Sequence, residues 1–243
     1  MSIADLSTLL TELDRDYLPH LSVNGVIFGA DAGVLRVLLM QSTGTGTWAL
    51  PGGYVRRAES VDDAAARVLH EMAGLADAAL RQFHTFGGPA RGEAIVADVL
   101  RAMGVEAPAD HWVLGRVVSI GYVAVVDAAK AQVTPNAWTR RLEWCDVTQL
   151  PPLIIDHAEM VRRALDTVRS QIDDLPLDAH LLPAAFTMPE LQKLHETVLG
   201  RTLDRRNFQK RMLDLGLVER LPDHRVGGRR KPTYMYRWAT RAS

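Results

Sequence analysis

Only one cysteine, Cys145, occurs in 243 residues, so no disulfide can close within the chain. A lone thiol beside Trp144 reads as a small apolar packing residue, and a reducing, cytoplasmic setting is the expectation. Long hydrophobic runs are missing as well. The longest apolar stretch, around Val113 to Ala129, is broken by Arg116 and Asp127, which excludes a membrane-crossing helix there. The amino terminus lacks a basic segment followed by an apolar one, so the sequence predicts a soluble, unexported protein with no membrane partner.

What is present suffices for a core. Hydrophobic residues make up 47% of a chain whose 243 residues suit one domain of ordinary size plus a small appendage. Net charge is only −1, but it is unevenly distributed. Residues 1–185 hold 15 Lys+Arg against 23 Asp+Glu, a net of −8, and residues 186–243 hold 13 against 6, a net of +7. An acidic body with a basic tail is the footprint of a protein whose tail meets a polyanion, although a basic face is also compatible with simple solvation.

Periodicity organises the body. Apolar residues at 3, 6, 9, 10 and 13 predict a first helix, and Leu21 to Phe28 and Val34 to Met40 predict two strands joined by a turn at Gly29 to Gly33. A small-residue loop, Gln41 to Thr47, leads to Trp48. A helix is predicted from Ser60, its N-cap, with Asp62 and Asp63 in the first turn and Gly74 closing it. A strand at Phe83 to Phe86, a helix over 93–103, a pair of strands within Val113 to Val126 and a long helix over 157–172 complete the body. Proline and acidic residues in Asp173 to Pro183 interrupt the helical period, which divides the chain into domains at 1–178 and 179–243.

The tail carries its own pattern. Thr187 and Glu190 form a capping box ahead of a helix with Leu191, Leu194, Val198 and Leu199 on its apolar side. After a turn at Gly200 to Leu203, a second helix over 204–215 should turn Phe208, Met212 and Leu215 inward and crowd Arg205, Arg206, Asn207, Gln209, Lys210 and Arg211 on its other surface. Two strands, Leu217 to Leu221 and Thr233 to Trp238, enclose the basic loop "PDHRVGGRRK". Helix, turn, basic helix and basic wing in that order spell a winged helix-turn-helix. Double-stranded DNA is the partner this suits: Arg206, Asn207 and Gln209 for base edges, the other basic residues with Arg229, Arg230 and Lys231 for phosphates or the minor groove. A small helical cap whose basic face is only solvated, or a winged protein-interaction module, has the same pattern.

Between Gly52 and Leu75 lies "GGYVRRAESVDDAAARVLHEMAGL". This stretch resembles the Nudix box, Gly-x5-Glu-x7-Arg-Glu-U-x-Glu-Glu-x-Gly-U with U aliphatic, the signature of enzymes that hydrolyse nucleoside diphosphates linked to another moiety. Gly53, Glu59, Arg67, Leu69, Glu71, Gly74 and Leu75 match it. Two of its glutamates are replaced, by Val68 and Met72. On a helix, positions 68, 71 and 72 share one face, where a hard divalent cation would need several carboxylates together. Only Glu71 remains, so no metal, no cofactor and no catalytic residues are expected, and hydrolysis is disfavoured. Arg56, Arg57 and Arg67 beside a Gly-Gly turn still suit an anionic nucleotide. Arg67, Glu59 and Glu71 suit equally a set of mutual ion pairs that hold the loop. Trp48 and Phe86 are compatible either with adenine stacking or with core packing.

A Nudix-like domain followed by a winged helix resembles the Nudix-related transcriptional regulators of NAD metabolism in bacteria. "WALPGGYVR" (Trp48 to Arg56), "FHTFGGPAR" (Phe83 to Arg91), "GRVVSIGYVAVV" (Gly115 to Val126), "LGRTLDRRNFQKRML" and "GGRRKPTYMYRW" carry the likeness across nearly the whole chain. It implies an α+β fold, a Nudix-like α/β/α sandwich with a C-terminal winged helix-turn-helix. It also implies a homodimeric repressor that binds palindromic operators of NAD biosynthesis or salvage genes and senses ADP-ribose or a related metabolite. A metal-dependent ADP-ribose or nucleotide-sugar pyrophosphatase is the alternative. The helix near 91–104 departs from the simplest family pattern.

Overall fold

A computed structural model describes residues 3–31, 34–42, 45–75, 79–89, 91, 93–102, 104–128, 139–172, 182–225 and 233–239. The body is built on one long strand, β1 (Tyr17–Asp31), flanked in sequence by helix α1 (Ile3–Asp16) and strand β2 (Val34–Ser42). Strand β6 (Val118–Asp127) runs parallel to β1 along one edge, from Leu21↔Val118 to Ala30↔Asp127. The other edge is shared: β4 (Gly52–Arg56) pairs with the first part of β1 and β2 with the last part. The short β3 (Trp48–Ala49), β5 (Arg81–Phe86) and β7 (Thr139–Asp146) complete a seven-stranded mixed sheet.

Alternation along the strands decides which helix covers which face. Val23 and Ile27 on β1, Leu38 on β2 and Ala124 on β6 pack in clusters with Ala64, Ala65, Val68 and Leu69 of α2 (Val61–Ala73). Val26, Phe28, Val37, Leu39 and Val123 lie in the opposite layer, with Met160, Val161, Ala164 and Val168 of α4 (His157–Ser170). The result is an α/β/α sandwich. Helix α2 begins as its sequence dictates: Ser60 and Asp63 form a reciprocal capping box, and Gly74 ends it in the left-handed region at φ 68°.

The tail folds as helix α5 (Met188–Leu199), helix α6 (Arg205–Asp214) and a small sheet in which β10 (Thr233–Trp238) lies between β8 (Phe186–Thr187) and β9 (Val218–Arg225). The Thr187–Glu190 capping box and the left-handed Gly200 bound α5. Its apolar side does not stop at the tail, because Phe186, Leu191, Leu194, Phe208 and Met212 belong to the same buried cluster as α4 and the sheet.

Two expectations are corrected. The Val113 to Val126 segment is one strand, not two: Trp112–Leu114 is a 3-10 turn ending at Gly115, and Val113 packs with Leu100, Val105, Leu10 and Leu13 beneath α1 and helix α3 (Glu93–Ala102). Leu215 is exposed, because α6 ends at Asp214 and Leu217 takes the inward place two residues on. The expected domain break falls almost wholly on residues 173–181, outside those described.

Leu191 is fully buried, so Leu191→Ala should cost about 2–5 kcal/mol. The loss should be seen in a single cooperative urea transition reported alike by tail and body, whereas two separate transitions would contradict a shared core.

Candidate functional site

Arg67 organises the Gly52 to Leu75 stretch. From the second turn of α2 its guanidinium donates to both oxygens of Glu59, at 2.6 and 2.9 Å, to the Tyr54 carbonyl at 2.9 Å, and to Glu71 at 3.0 Å. Glu59 also accepts from the Arg56 backbone N–H at 2.7 Å, and Glu71 meets the Arg56 guanidinium at 3.3 Å. The pairing with Arg67 lowers the Glu59 carboxyl below its ordinary range, and the Glu59 hydrogen bonds raise Arg67. Glu59, Arg67 and Glu71 are thus brought together, bound to one another.

The metal positions have become a wall. Val68 is buried, packed within 3.0 Å of where a Cβ on Gly53 would sit, and Val68 and Met72 line a cavity of 480 Å³ with Leu13, Leu100, Val113 and Tyr54. Its wall also holds Glu71 and Arg67, which bind each other, and Glu12, Tyr17 and Tyr54, but of the helix positions 68, 71 and 72 only Glu71 brings an oxygen. A hard divalent cation does not fit this donor set. Among the described residues no group of three or more His, Cys, Asp or Glu could hold a metal ion.

A smaller cavity of 150 Å³ shares Gly53, Tyr54 and Val96 with the larger one. Arg91 lies in its wall, 5% exposed, donating to Ser119 Oγ at 3.1 Å and the Phe86 carbonyl at 3.3 Å and facing Asp156 at 3.4 Å. Ser22 and Ser119 hydroxyls bond each other there. His157 accepts the Leu50 N–H through Nδ1 at 3.0 Å, and burial, then Arg91, hold its pKa down at about 3. These residues were not among those singled out from the sequence. Their signal was faint: Ser22 and Asn24 are polar positions in an apolar strand, and Arg91 ends "FHTFGGPAR".

The remaining expected ligand residues scatter. Arg57 ties the loop to α1, its N–H donating to the Asp16 carbonyl and its guanidinium to that of Asp14. With Arg56 it lines an acidic and basic groove beside Glu12, Arg15 and Asp16. Trp48 is half-buried on β3 and packs against the core, and Phe86 is buried at the end of β5 against Phe83 and His84. Neither ring lines the two cavities.

On the tail, Asp204 caps α6 through the Asn207 N–H at 2.9 Å, and Arg205, Arg206, Asn207, Lys210 and Arg211 are exposed along it. Gln209 is half-buried and reaches the Tyr236 hydroxyl of β10 at 3.5 Å. Arg229, Arg230 and Lys231 lie outside the described residues.

Because the folded pKa of His157 lies below its unfolded value, protonation favours the unfolded chain, and this residue's stability contribution is lost as pH falls from about 6.5 towards 3. Between pH 7 and 5 the loss attributable to His157 should be about 2 kcal/mol. Urea unfolding at both pH values should show that difference shrinking in His157→Gln; an unchanged difference would contradict the assignment.

The NUDIX domain family matches residues 18–164 and the NrtR DNA-binding winged helix domain matches residues 179–238. The ADPR responsive transcriptional repressor NtrR of Acinetobacter baylyi is 28% identical over 228 residues, covering 91% of this chain and 82% of that protein. The ADP-ribose pyrophosphatase of Methanocaldococcus jannaschii is 27% identical over 149 residues, 61% of this chain and 75% of its own. Among solved structures, Shewanella oneidensis NrtR complexed with a 27mer DNA superposes with a TM-score of 0.67 at 24% identity, covering 90% of this chain and 93% of that one. At that identity the likeness speaks to the fold, an α+β NUDIX domain with a C-terminal winged helix. With the NUDIX match spanning more than half of its length and the NrtR winged helix following, the chain belongs to the NUDIX family.

Proposed function

We propose that the chain is a homodimeric, DNA-binding transcriptional repressor of NAD biosynthesis or salvage genes that responds to ADP-ribose or a related NAD metabolite. The observation that carries this reading is the closed Glu59–Arg67–Glu71 set beside a cavity walled by Val68 and Met72. The loop architecture of a nucleotide site is kept, while the carboxylates that would gather a metal over a diphosphate are gone. Such a site holds a nucleotide without hydrolysing it. The likeness to a repressor named for its ADPR response, over 91% of the chain, supports the same reading.

DNA is met by the tail, in domains we divide at 1–178 and 179–243. Arg205, Arg206, Lys210 and Arg211, exposed on α6, neutralise phosphates together with Arg229, Arg230 and Lys231, and Asn207 and Arg206 read base edges. Gln209 is the weaker base reader, since its amide reaches towards Tyr236. Regulation is a population shift: the effector favours a dimer whose two α6 helices no longer match half-sites one helical turn apart. The continuous packing of α5 on α4, β1 and β2 gives that shift a route.

Operator affinity, measured by electrophoretic shift on DNA from upstream of NAD genes, should fall steeply with salt and change when ADP-ribose is added. Equal affinities with and without it would remove ADP-ribose as the effector. Replacing Arg206 and Arg211 by Ala should weaken operator binding about 10-fold or more while leaving ADP-ribose binding intact. Loss of both bindings together would contradict the division of labour between body and tail.

A further inference from the structure

Tail and body meet through apolar side chains: Leu191, Leu194 and Val198 of α5 belong to one buried cluster with Met160, Ala164 and Val168 of α4. Apolar attraction has no direction, so it holds two elements together more firmly than it fixes the angle between them. A directed bond crosses the same junction. Near the end of α4, Arg169 Nε donates to the Val198 carbonyl of α5 at 3.1 Å.

The acceptor is one that wants a partner. Val198 lies in the last turn of α5, where carbonyls have no intrahelical donor left and where the helix dipole favours a cation. The guanidinium also sits against the C-cap, since a Cβ on Gly200 would come within 3.2 Å of Arg169 Nη2. Other arginines of α4 are used differently. Arg162 and Arg163 are exposed and pair with Glu159 of their own helix, at 2.6 and 2.7 Å. Arg169 is half-buried, makes no ion pair among the described residues and spends its charge on the backbone of the tail.

Both sides of this bond are stiff. The start of α4 is tied into the body, where Asp156 faces Arg91 at 3.4 Å and His157 accepts the Leu50 N–H at 3.0 Å. From His157 to Arg169 the helix then runs about 18 Å at 1.5 Å per residue. On the tail side, Gln192 donates to the Leu203 carbonyl and Glu196 accepts the Leu203 N–H, each at 2.9 Å, so the turn after α5 is held by α5 itself. Asp204 then caps α6. With the turn fixed at both ends, α5 and α6 move as one piece, and a tilt of α5 redirects α6.

We propose that Arg169 is a positioning residue for operator binding. By capping α5 from the body it sets the angle of the tail, and in a dimer it thereby sets the separation of the two α6 helices that must reach both half-sites at once. The role rests on the reading of the tail as one arm of a dimeric, operator-binding repressor. It assigns Arg169 no contact with DNA.

Electrophoretic shift of the full chain on two duplexes tests this, one carrying the palindromic operator and one carrying a single half-site. Arg169→Ala should weaken operator binding about 10-fold, the order expected for loss of a charge-assisted hydrogen bond, and leave half-site binding unchanged. Arg169→Lys keeps a cationic donor and should recover most of the loss. A single cooperative urea transition in both variants would show that each is folded. Unchanged operator binding by Arg169→Ala would overturn the proposal. So would equal weakening on both duplexes, which would mark a phosphate contact, or unfolding, in place of positioning. An unaltered protein that binds the palindrome no better than the half-site would instead remove the dimeric reading, and the positioning role with it.

Discussion

The bidentate pair between Arg67 and Glu59 is the constraint on which the site depends. Both side chains are largely buried, at 15% and 13% exposure, and Glu59 spends its oxygens on the arginine and on the Arg56 N–H. Removing either partner would strand a charge with little water to receive it, so the pair is far more costly to break than to keep. It pins the loop between β4 and α2, and this in turn holds Gly53 against Val68 and keeps the cavity beneath it open.

That arrangement accounts for a box with correct spacing and altered chemistry. Arg67 needs Glu59 and Glu71 to lock the loop, and these persist. Positions 68 and 72 do not take part in the lock, and at both of them a carboxylate has given way to an apolar group that lines the cavity. The geometry of a nucleotide site and the chemistry of metal-assisted cleavage are therefore separable on one helix. Folding uses the first and not the second.

Much of this could be read from the chain. Ser60, Gly74, Thr187 and Gly200 bound their helices as capping rules require, because those signals act within four residues of backbone. Long-range pairing was less legible. The extent of β1 depends on three different partners, the Val113 segment turned on a contact with α1 and α3, and Leu215 lost its inward place to Leu217. Arg91 and Asp156 are 65 residues apart, and nothing local in either announces that the fold will bury one against the other. Nor does local sequence say that α5 closes one core with the sheet, the packing through which an occupied cavity could reach the recognition helix.

The proposed reading requires nucleotide binding that needs no metal and ends without cleavage. Calorimetric titration with ADP-ribose in EDTA and again in excess Mg²⁺, with the ligand recovered afterwards, tests this most directly. One dissociation constant in both buffers and intact ADP-ribose at the end are expected; binding that appears only with Mg²⁺, or recovery of AMP, would contradict the proposed function.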